Sequence, residues 1–215
     1  MNKNLVYDVG MCDGEDTARY LGLGYNVVAV EAIPRLCDAA RARFTDEISA
    51  GRLVILNVAI APERGPVTFW VNKAKDGWSS LYEGLGNRGG GGDTFEVWGE
   101  RFEAILAECG VPYYLKVDIE GADHLCLEAL AGLDDKPQFI SVEAAELSWF
   151  QMLYDLGYRR FALIDQAPFN ANNDRPDLPE SSGPLPDEIK EWVSVETALW
   201  QLEVGKSWYD IYATW

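Results

Sequence analysis

The residues of this chain best placed to do chemistry fall in two acidic, glycine-bearing stretches. The first reads Val6-Tyr7-Asp8-Val9-Gly10-Met11-Cys12-Asp13-Gly14-Glu15-Asp16-Thr17, and the second Tyr114-Leu115-Lys116-Val117-Asp118-Ile119-Glu120-Gly121-Ala122-Asp123. In the first, a short apolar run ends in an acid and two glycines, then passes into residues 17–21, which have helical character and stop at Gly22 and Gly24. A strand, a tight glycine turn and a helix let a ligand approach the backbone and aim helix N–H groups at it. A dinucleotide would need G-x-G-x-x-G, but the second and third glycine positions after Gly10 hold Cys12 and Glu15. Asp8, Asp13, Glu15 and Asp16 also set four carboxylates where two phosphates would sit, and like charges there repel. An adenosine ligand with positive charge and no phosphate suits the turn better, which points to S-adenosylmethionine and its product S-adenosylhomocysteine.

The next apolar run, residues 25–30, ends in Glu31, about twenty residues after the turn, where an acid can accept hydrogen bonds from both ribose hydroxyls. In residues 113–120, strand alternation puts Lys116, Asp118 and Glu120 on one face. Charges sharing a face at a strand end are not explained by packing, and a buried Lys116 needs a carboxylate partner. Ligands of open α/β sheets bind outside the carboxyl ends of the strands, so Asp118 is expected to meet Asp8 and Glu31 at one rim. Residues 138–143 repeat the pattern and add Glu143.

The elements that must position these groups follow from the pattern of the rest of the chain. A length of 215 residues suits one α/β domain over residues 1–215. The helix after Glu31 begins at Pro34 and buries Leu36, Ala40 and Phe44. Residues 53–60 read as one continuous apolar strand, covered on both faces, with Asn57 as its anomaly. Asn57 either bonds backbone groups near an adenine or only satisfies the strand end. Residues 67–71 and 95–97 read as short strands, 100–109, 123–130 and 146–156 as helices, and 158–164 and 207–213 as strands. Two variable loops are expected, residues 72–93, where Trp78 and Tyr82 offer flat surface to a substrate, and residues 166–188.

Composition narrows the class. A net charge of −17 argues against nucleic acid as a partner, since phosphate binding needs clustered Lys and Arg. No run is long enough to span a bilayer and no signal peptide is evident, so a cytoplasmic enzyme without membrane partners is expected. Cys12, Cys37, Cys109 and Cys126 lack metal-ligand spacing and read as reduced thiols. Cys12, in the ligand turn, is either reactive or a small packing residue.

These motifs together resemble the FkbM family of S-adenosylmethionine-dependent methyltransferases. The matching pieces are Asp8-Val9-Gly10 with Gly14 and Thr17, Val30-Glu31-Ala32-Ile33-Pro34, Asn57-Val58-Ala59, Ser79-Ser80-Leu81 and Lys116-Val117-Asp118-Ile119-Glu120-Gly121, of which the last is the specific one. The resemblance implies an α/β, Rossmann-like class I methyltransferase fold. Its sheet is seven-stranded and mostly parallel, with helices on both faces and an antiparallel last strand. It implies methyl transfer commonly to a hydroxyl of a sugar or polyketide, hence a small-molecule or glycan acceptor. Asp8, Gly10, Glu31, Asn57 and Asp118 would line the cofactor, with Cys12, Gly14, Thr17, Ala32 and Ala59 in the same matched pieces. Two departures stand out: Cys12 occupies a position often small or amide-bearing in the family, and Arg101-Phe102 replaces the usual Leu-Asp pair.

Methyl transfer to a hydroxyl also requires a base within hydrogen-bond reach. Asp118, Glu120, Glu143 and His124 are the candidates, with Asp118 or Glu120 preferred and Lys116 setting their charge. The carboxylate cluster could alternatively hold a divalent metal, though none is predicted. A non-catalytic adenosine-binding module would keep Asp8 and Glu31 without needing the charged rim, and an NAD(P)-dependent oxidoreductase is disfavoured by the missing glycines.

Overall fold

The computed structural model describes residues 1–144, 146–169, 183–205 and 207–215. Its main sheet has seven strands in the order β3-β2-β1-β7-β8-β10-β9. They are β1 (Asn2–Val9), β2 (Asn26–Val30), β3 (Leu53–Leu56), β7 (Pro112–Val117), β8 (Phe139–Glu143), β9 (Arg160–Asp165) and β10 (Tyr209–Thr214). The pairs β1-β2, β2-β3, β1-β7 and β7-β8 are parallel, and β10 inserts antiparallel between β8 and β9. The seven strands, mostly parallel with an antiparallel last strand, are those implied by the family resemblance. The order reverses between β1 and β7, and there the flanking connections diverge and leave a crevice at the carboxyl ends.

Helices α1 (Glu15–Gly22), α2 (Pro34–Arg43) and α3 (Thr45–Ser49) lie in the half before the reversal. Glu15 and Asp16 sit in the first turn of α1, where the helix dipole favours negative charge, and Pro34 opens α2. Helices α5 (Phe102–Cys109), α6 (Asp123–Leu130) and α7 (Ser148–Asp155) serve the other half. The two faces of the sheet carry separate apolar clusters, one including Tyr7, Phe102, Leu127 and Phe150, the other Val6, Tyr20, Phe44 and Tyr114. Helix α8 (Val195–Val204), capped by Ser194, was not legible from the sequence pattern; only Ala198 of it is buried, so it carries no strong apolar stripe.

Several expected elements are differently drawn. Residues 53–60 are not one buried strand. After β3 the chain leaves the sheet, and β4 (Ala59–Ile60) joins a second, three-stranded sheet with β6 (Gly92–Glu100) and β5 (Gly65–Asn72). Asn57 causes the break, since its side-chain amide donates to the carbonyls of Glu31 and Ala32 at 2.9 and 3.0 Å and draws the chain across the end of β2. Val54 is 44 % exposed, as befits an edge strand. Residues 72–93 are not irregular either. They contain a 3-10 turn, Asp76–Trp78, helix α4 (Glu83–Gly86) and the start of β6. The buried Asn72 amide organises them by donating to the carbonyls of Gly86 and Arg88, while its oxygen accepts from the Ala74 and Lys75 N–H groups. The strand expected through residue 120 stops at Val117. Of the loop expected over residues 166–188, residues 170–182 lie outside the described residues.

The tightest constraint lies where β1 meets β7. Gly10 has φ +90°, and a Cβ there would stand 1.8 Å from the Asp118 carbonyl oxygen. Only glycine lets the two loops close. Gly10→Ala is expected to lower unfolding stability by about 2 kcal/mol or more, read as a drop in the urea midpoint; an unchanged midpoint would show that the loops part without cost.

Candidate active site

The site is built on one buried cation. Asp8 on β1 and Lys116 on β7 are register partners and share a face. The Lys116 ammonium lies 3.3 Å from Asp8, 3.6 Å from Asp16, 3.8 Å from Asp118 and 3.1 Å from the Gly10 carbonyl. Its side chain is 5 % exposed and that of Asp8 is fully buried. Burial by itself would lower the Lys116 pKa, but Asp8, Asp118 and Asp16 together hold it well above its ordinary value, so it is charged. Burial raises the Asp8 carboxyl, against Lys116 and the Thr17 hydroxyl, which donates to it at 2.6 Å. Asp8 and Thr17 therefore act beneath the loop, not in the cleft: both are 0 % exposed.

Above this pair the loop turns through three positive-φ residues, Gly10, Cys12 and Gly14. The Cys12 N–H donates to one oxygen of Glu31 at 2.9 Å, and the Ile33 N–H donates to the other at 2.7 Å. Glu31 is thus fixed at the end of β2 with one lone pair of each oxygen still open. Burial is the main cause that lifts its pKa to about 7. Glu31, Gly10 and Cys12 line a cleft of about 600 Å³, its open mouth included. Its apolar wall brings Ala32 and Ile33 against Ala59, Ile60 and Phe69 of the second sheet. Asn57 stays behind that wall on backbone carbonyls. Gly14 caps α1 in the left-handed region. Burial pushes the Cys12 thiol up to about 12, which leaves it a packing group and not a nucleophile at neutral pH.

The far side of the cleft is carboxylate. Asp118, Glu120 and Glu143 each bring an oxygen within 4.8 Å of the others. Beyond Val117 the chain leaves the strand, and Glu120 takes φ +54°, so its place beside Asp118 comes from a turn and not from strand alternation. The Glu120 carboxylate pairs with Arg88 at 2.6 Å rather than with Lys116, and its carbonyl accepts from the Ser80 hydroxyl at 2.7 Å. Asp123 fixes the turn by accepting from the Ile119 and Gly121 N–H groups. Burial first, then neighbouring acids, raises Glu120 and Glu143 to about 7 and Asp123 to about 6. His124 is in the second position of α6, with its ring stacked between those of Tyr82 and Trp149, 6.5 and 6.2 Å away, and Nδ1 3.2 Å from the Gly121 carbonyl. It stands in an aromatic stack and does not line the cleft.

The structure therefore brings Gly10, Cys12, Glu31, Ala32, Ala59, Asp118 and Glu120 to one cleft, with Glu143 against its acidic end. Asp8, Gly14, Thr17, Lys116 and Asn57 lie outside its lining and support it from behind. Of the four turn acids, Asp8 and Asp16 face Lys116 and Glu15 pairs outward with Arg43 at 2.6 Å, while Asp13 is exposed. Arg88 and Ser80 were missed. Ser80 lay in a matched motif, whereas Arg88 lies in a glycine-rich run with nothing local to mark it.

A model of the methyltransferase FkbM domain matches residues 8–161. The fold resembles the solved methyltransferase FkbM of Methylobacillus flagellatus, with TM-score 0.54 at 14 % identity, over 98 % of this chain and 43 % of that one. The chain thus spans less than half the length of that relative. Weaker likenesses are to a precorrin-6Y C5,15-methyltransferase C-terminal domain of Rhodobacter capsulatus (TM-score 0.47, 13 % identity, 100 % and 80 % covered) and an SAM-dependent O-methyltransferase of Thermotoga maritima (0.43, 14 %, 99 % and 59 %). No curated protein matches the sequence. Among the described residues no helix is long and apolar enough to cross a membrane.

The raised carboxyls fix a pH dependence. Glu31, Glu120 and Glu143 hold their protons more tightly folded than unfolded, so their stabilisation is full below about pH 4.5 and is lost as pH rises through about 7. Without ligand, the melting temperature is expected to be higher at pH 6 than at pH 8, by about 2–4 °C for each kcal/mol recovered. A melting temperature that instead falls on acidification would mean that these acids stay ionised in the folded chain, with partners such as Arg88 outweighing burial.

Proposed function

The chain belongs to the FkbM methyltransferase family, and on that premise we propose that it is a cytoplasmic enzyme that moves the methyl group of S-adenosylmethionine to a hydroxyl of a small-molecule or glycan acceptor. One observation carries the reading: a cleft at the sheet's reversal point has Glu31 and an apolar wall at one end and the Asp118, Glu120 and Glu143 carboxylates at the other. The donor set suits such a ligand. Ala32, Ile33, Ala59, Ile60 and Phe69 offer an adenine a dry slot, and Glu31 keeps one lone pair per oxygen for the two ribose hydroxyls. The acidic end matches the positive charge of an ammonium and a sulfonium and repels phosphate.

When bound, S-adenosylmethionine supplies a methyl carbon made electrophilic by its sulfonium. The chain's part is alignment, from which most of the acceleration of such a displacement derives. Gly10 lets the first loop close on the turn after β7, Glu31 would hold the ribose, and Lys116 holds Asp118 through charge from below. The acceptor must lose its proton as its oxygen takes the methyl carbon and the carbon–sulfur bond breaks. Asp118 or Glu120 is assigned that proton, with Glu143 beside them. His124, committed to its stack, is set aside. Residues 72–93 shape the acceptor side, since Ser80 and Arg88 both anchor on Glu120.

Calorimetric titration with S-adenosylhomocysteine and with NAD tests the cofactor. Selective binding of the adenosyl sulfur ligand is expected, weakened about tenfold or more in Glu31→Gln through loss of charge-assisted hydrogen bonds. Equal affinity in the variant, or preference for NAD, would contradict the assignment.

A further inference from the structure

The apolar slot assigned to the base sorts ligands by shape alone. A dry pocket separates flat groups of one size weakly, whereas a site that hydrogen-bonds a ligand's polar edge rejects the analogue lacking it by a large factor. The side chains lining the cleft that can hydrogen-bond are Cys12, Glu31, Asp76, Ser79, Asp118 and Glu120. Glu31 is assigned to the ribose, Asp118 and Glu120 to the acidic end, and Cys12 is a packing group. Ser79 is buried, and its hydroxyl oxygen accepts from the Asn72 N–H at 3.1 Å. Asp76 is left without a role.

Asp76 begins the 3-10 turn that follows β5, the strand that carries Phe69 of the apolar wall. The turn is fixed by its backbone, since the Trp78 N–H donates to the Lys75 carbonyl and the Ser79 N–H to that of Asp76, both at 3.0 Å. The carboxylate is held from the opposite wall. Arg35, in the first turn of α2 and two positions after Ile33, donates to its Oδ1. The pair thus joins the two walls of the slot at one edge, beside the helix end that carries Ile33. Among the described residues nothing donates to Oδ2, and the side chain is 32 % exposed, so that oxygen is not sealed within the protein.

We propose that Asp76 is the specificity-determining residue for the base of the ligand, its Oδ2 accepting a hydrogen bond from the exocyclic amino group of adenine, with Arg35 as the residue that positions it. Carboxylate oxygens accept and do not donate, so they meet an amino group with a charge-assisted bond and have no partner on a base that carries hydrogen in its place. The guanidinium on Oδ1 leaves Oδ2 for the ligand and restrains the side chain from turning to solvent. The inference rests on the S-adenosylmethionine reading and adds to it the edge of the ligand that is recognised.

The test is calorimetric titration of the full chain with S-adenosylhomocysteine and with its purine counterpart, in which hydrogen replaces the amino group. Wild type is expected to prefer the amino-bearing ligand about tenfold or more. In Asp76→Ala the preference is expected to fall to within about twofold, through weaker S-adenosylhomocysteine binding and not through tighter binding of the counterpart. Asp76→Asn keeps an acceptor and is expected to lie between the two. Arg35→Gln, at an exposed side chain, is expected to lower the preference as well and serves should Asp76→Ala not fold. Glu31→Gln acts on the ribose and is expected to weaken both ligands alike, with the preference kept. A wild type that binds both ligands equally, or a preference that survives Asp76→Ala, overturns the role of Asp76 and leaves the methyltransferase reading intact. A folded wild type that binds neither ligand overturns both.

Discussion

The molecule depends on keeping Lys116 charged where almost no water reaches it. An ammonium taken out of solvent loses several kcal/mol of hydration, and only closely placed acids and carbonyls return it. Asp8 from β1, Asp16 from α1, Asp118 from the end of β7 and the Gly10 carbonyl all do so within 4 Å. Asp8, Gly10 and Asp16 lie close together in sequence and far from Lys116 and Asp118, so the ammonium ties the first strand, loop and helix to the central strand in one rim. Removing one partner of such a set strands the others, which is why buried pairs break at a cost of about 3–5 kcal/mol.

On that base the cleft divides into two chemically unlike ends. The second sheet exists because Asn57 draws the chain off β3, and it closes an apolar wall over the end of β2. Opposite it, the turn after β7 is held by Asp123, Ser80 and Arg88, each through hydrogen bonds or charge to residues 119–121. A ligand with a flat apolar part and a cationic part is drawn in one orientation by such a gradient. On the proposed reading, this gradient would bring the reactive carbon to the acidic end, with residues 72–93 around the acceptor.

Much of this arrangement was legible in the sequence, and what was not has a physical reason. Asp8, Glu31 and Asp118 are each the acid that follows an apolar run, and acids at strand ends mark the rim whatever the helices between them do. The seven-stranded, mostly parallel sheet with an antiparallel last strand followed from the family resemblance. Residues 67–71 and 95–97 read as the short strands that are parts of β5 and β6, but their pairing with β4 into a second sheet is set by contacts across the fold that no local pattern encodes. Residues 53–60 read as continuous since all but Asn57 are apolar; the single amide that breaks the run acts through Glu31 and Ala32, over twenty residues away. Glu120 was set on the face of Lys116 by counting in twos, and the left-handed turn at 120 invalidates that count while still delivering its carboxylate to Asp118. His124 has a fitting chemistry and the wrong surroundings, since only the tertiary fold shows Tyr82 and Trp149 on either side of it. Arg88 is set by its pairing with Glu120 across the fold, which no local pattern encodes.

The central claim is that the Lys116-based rim binds an adenosyl sulfur ligand with its reactive end toward the carboxylates. A crystal structure of the protein with S-adenosylhomocysteine tests this most directly. The account predicts both ribose hydroxyls on Glu31, the adenine between Ile33 and Phe69, and the sulfur facing Asp118, Glu120 and Glu143. A ligand seated elsewhere, or one reversed so that the adenine meets the carboxylates, would contradict it.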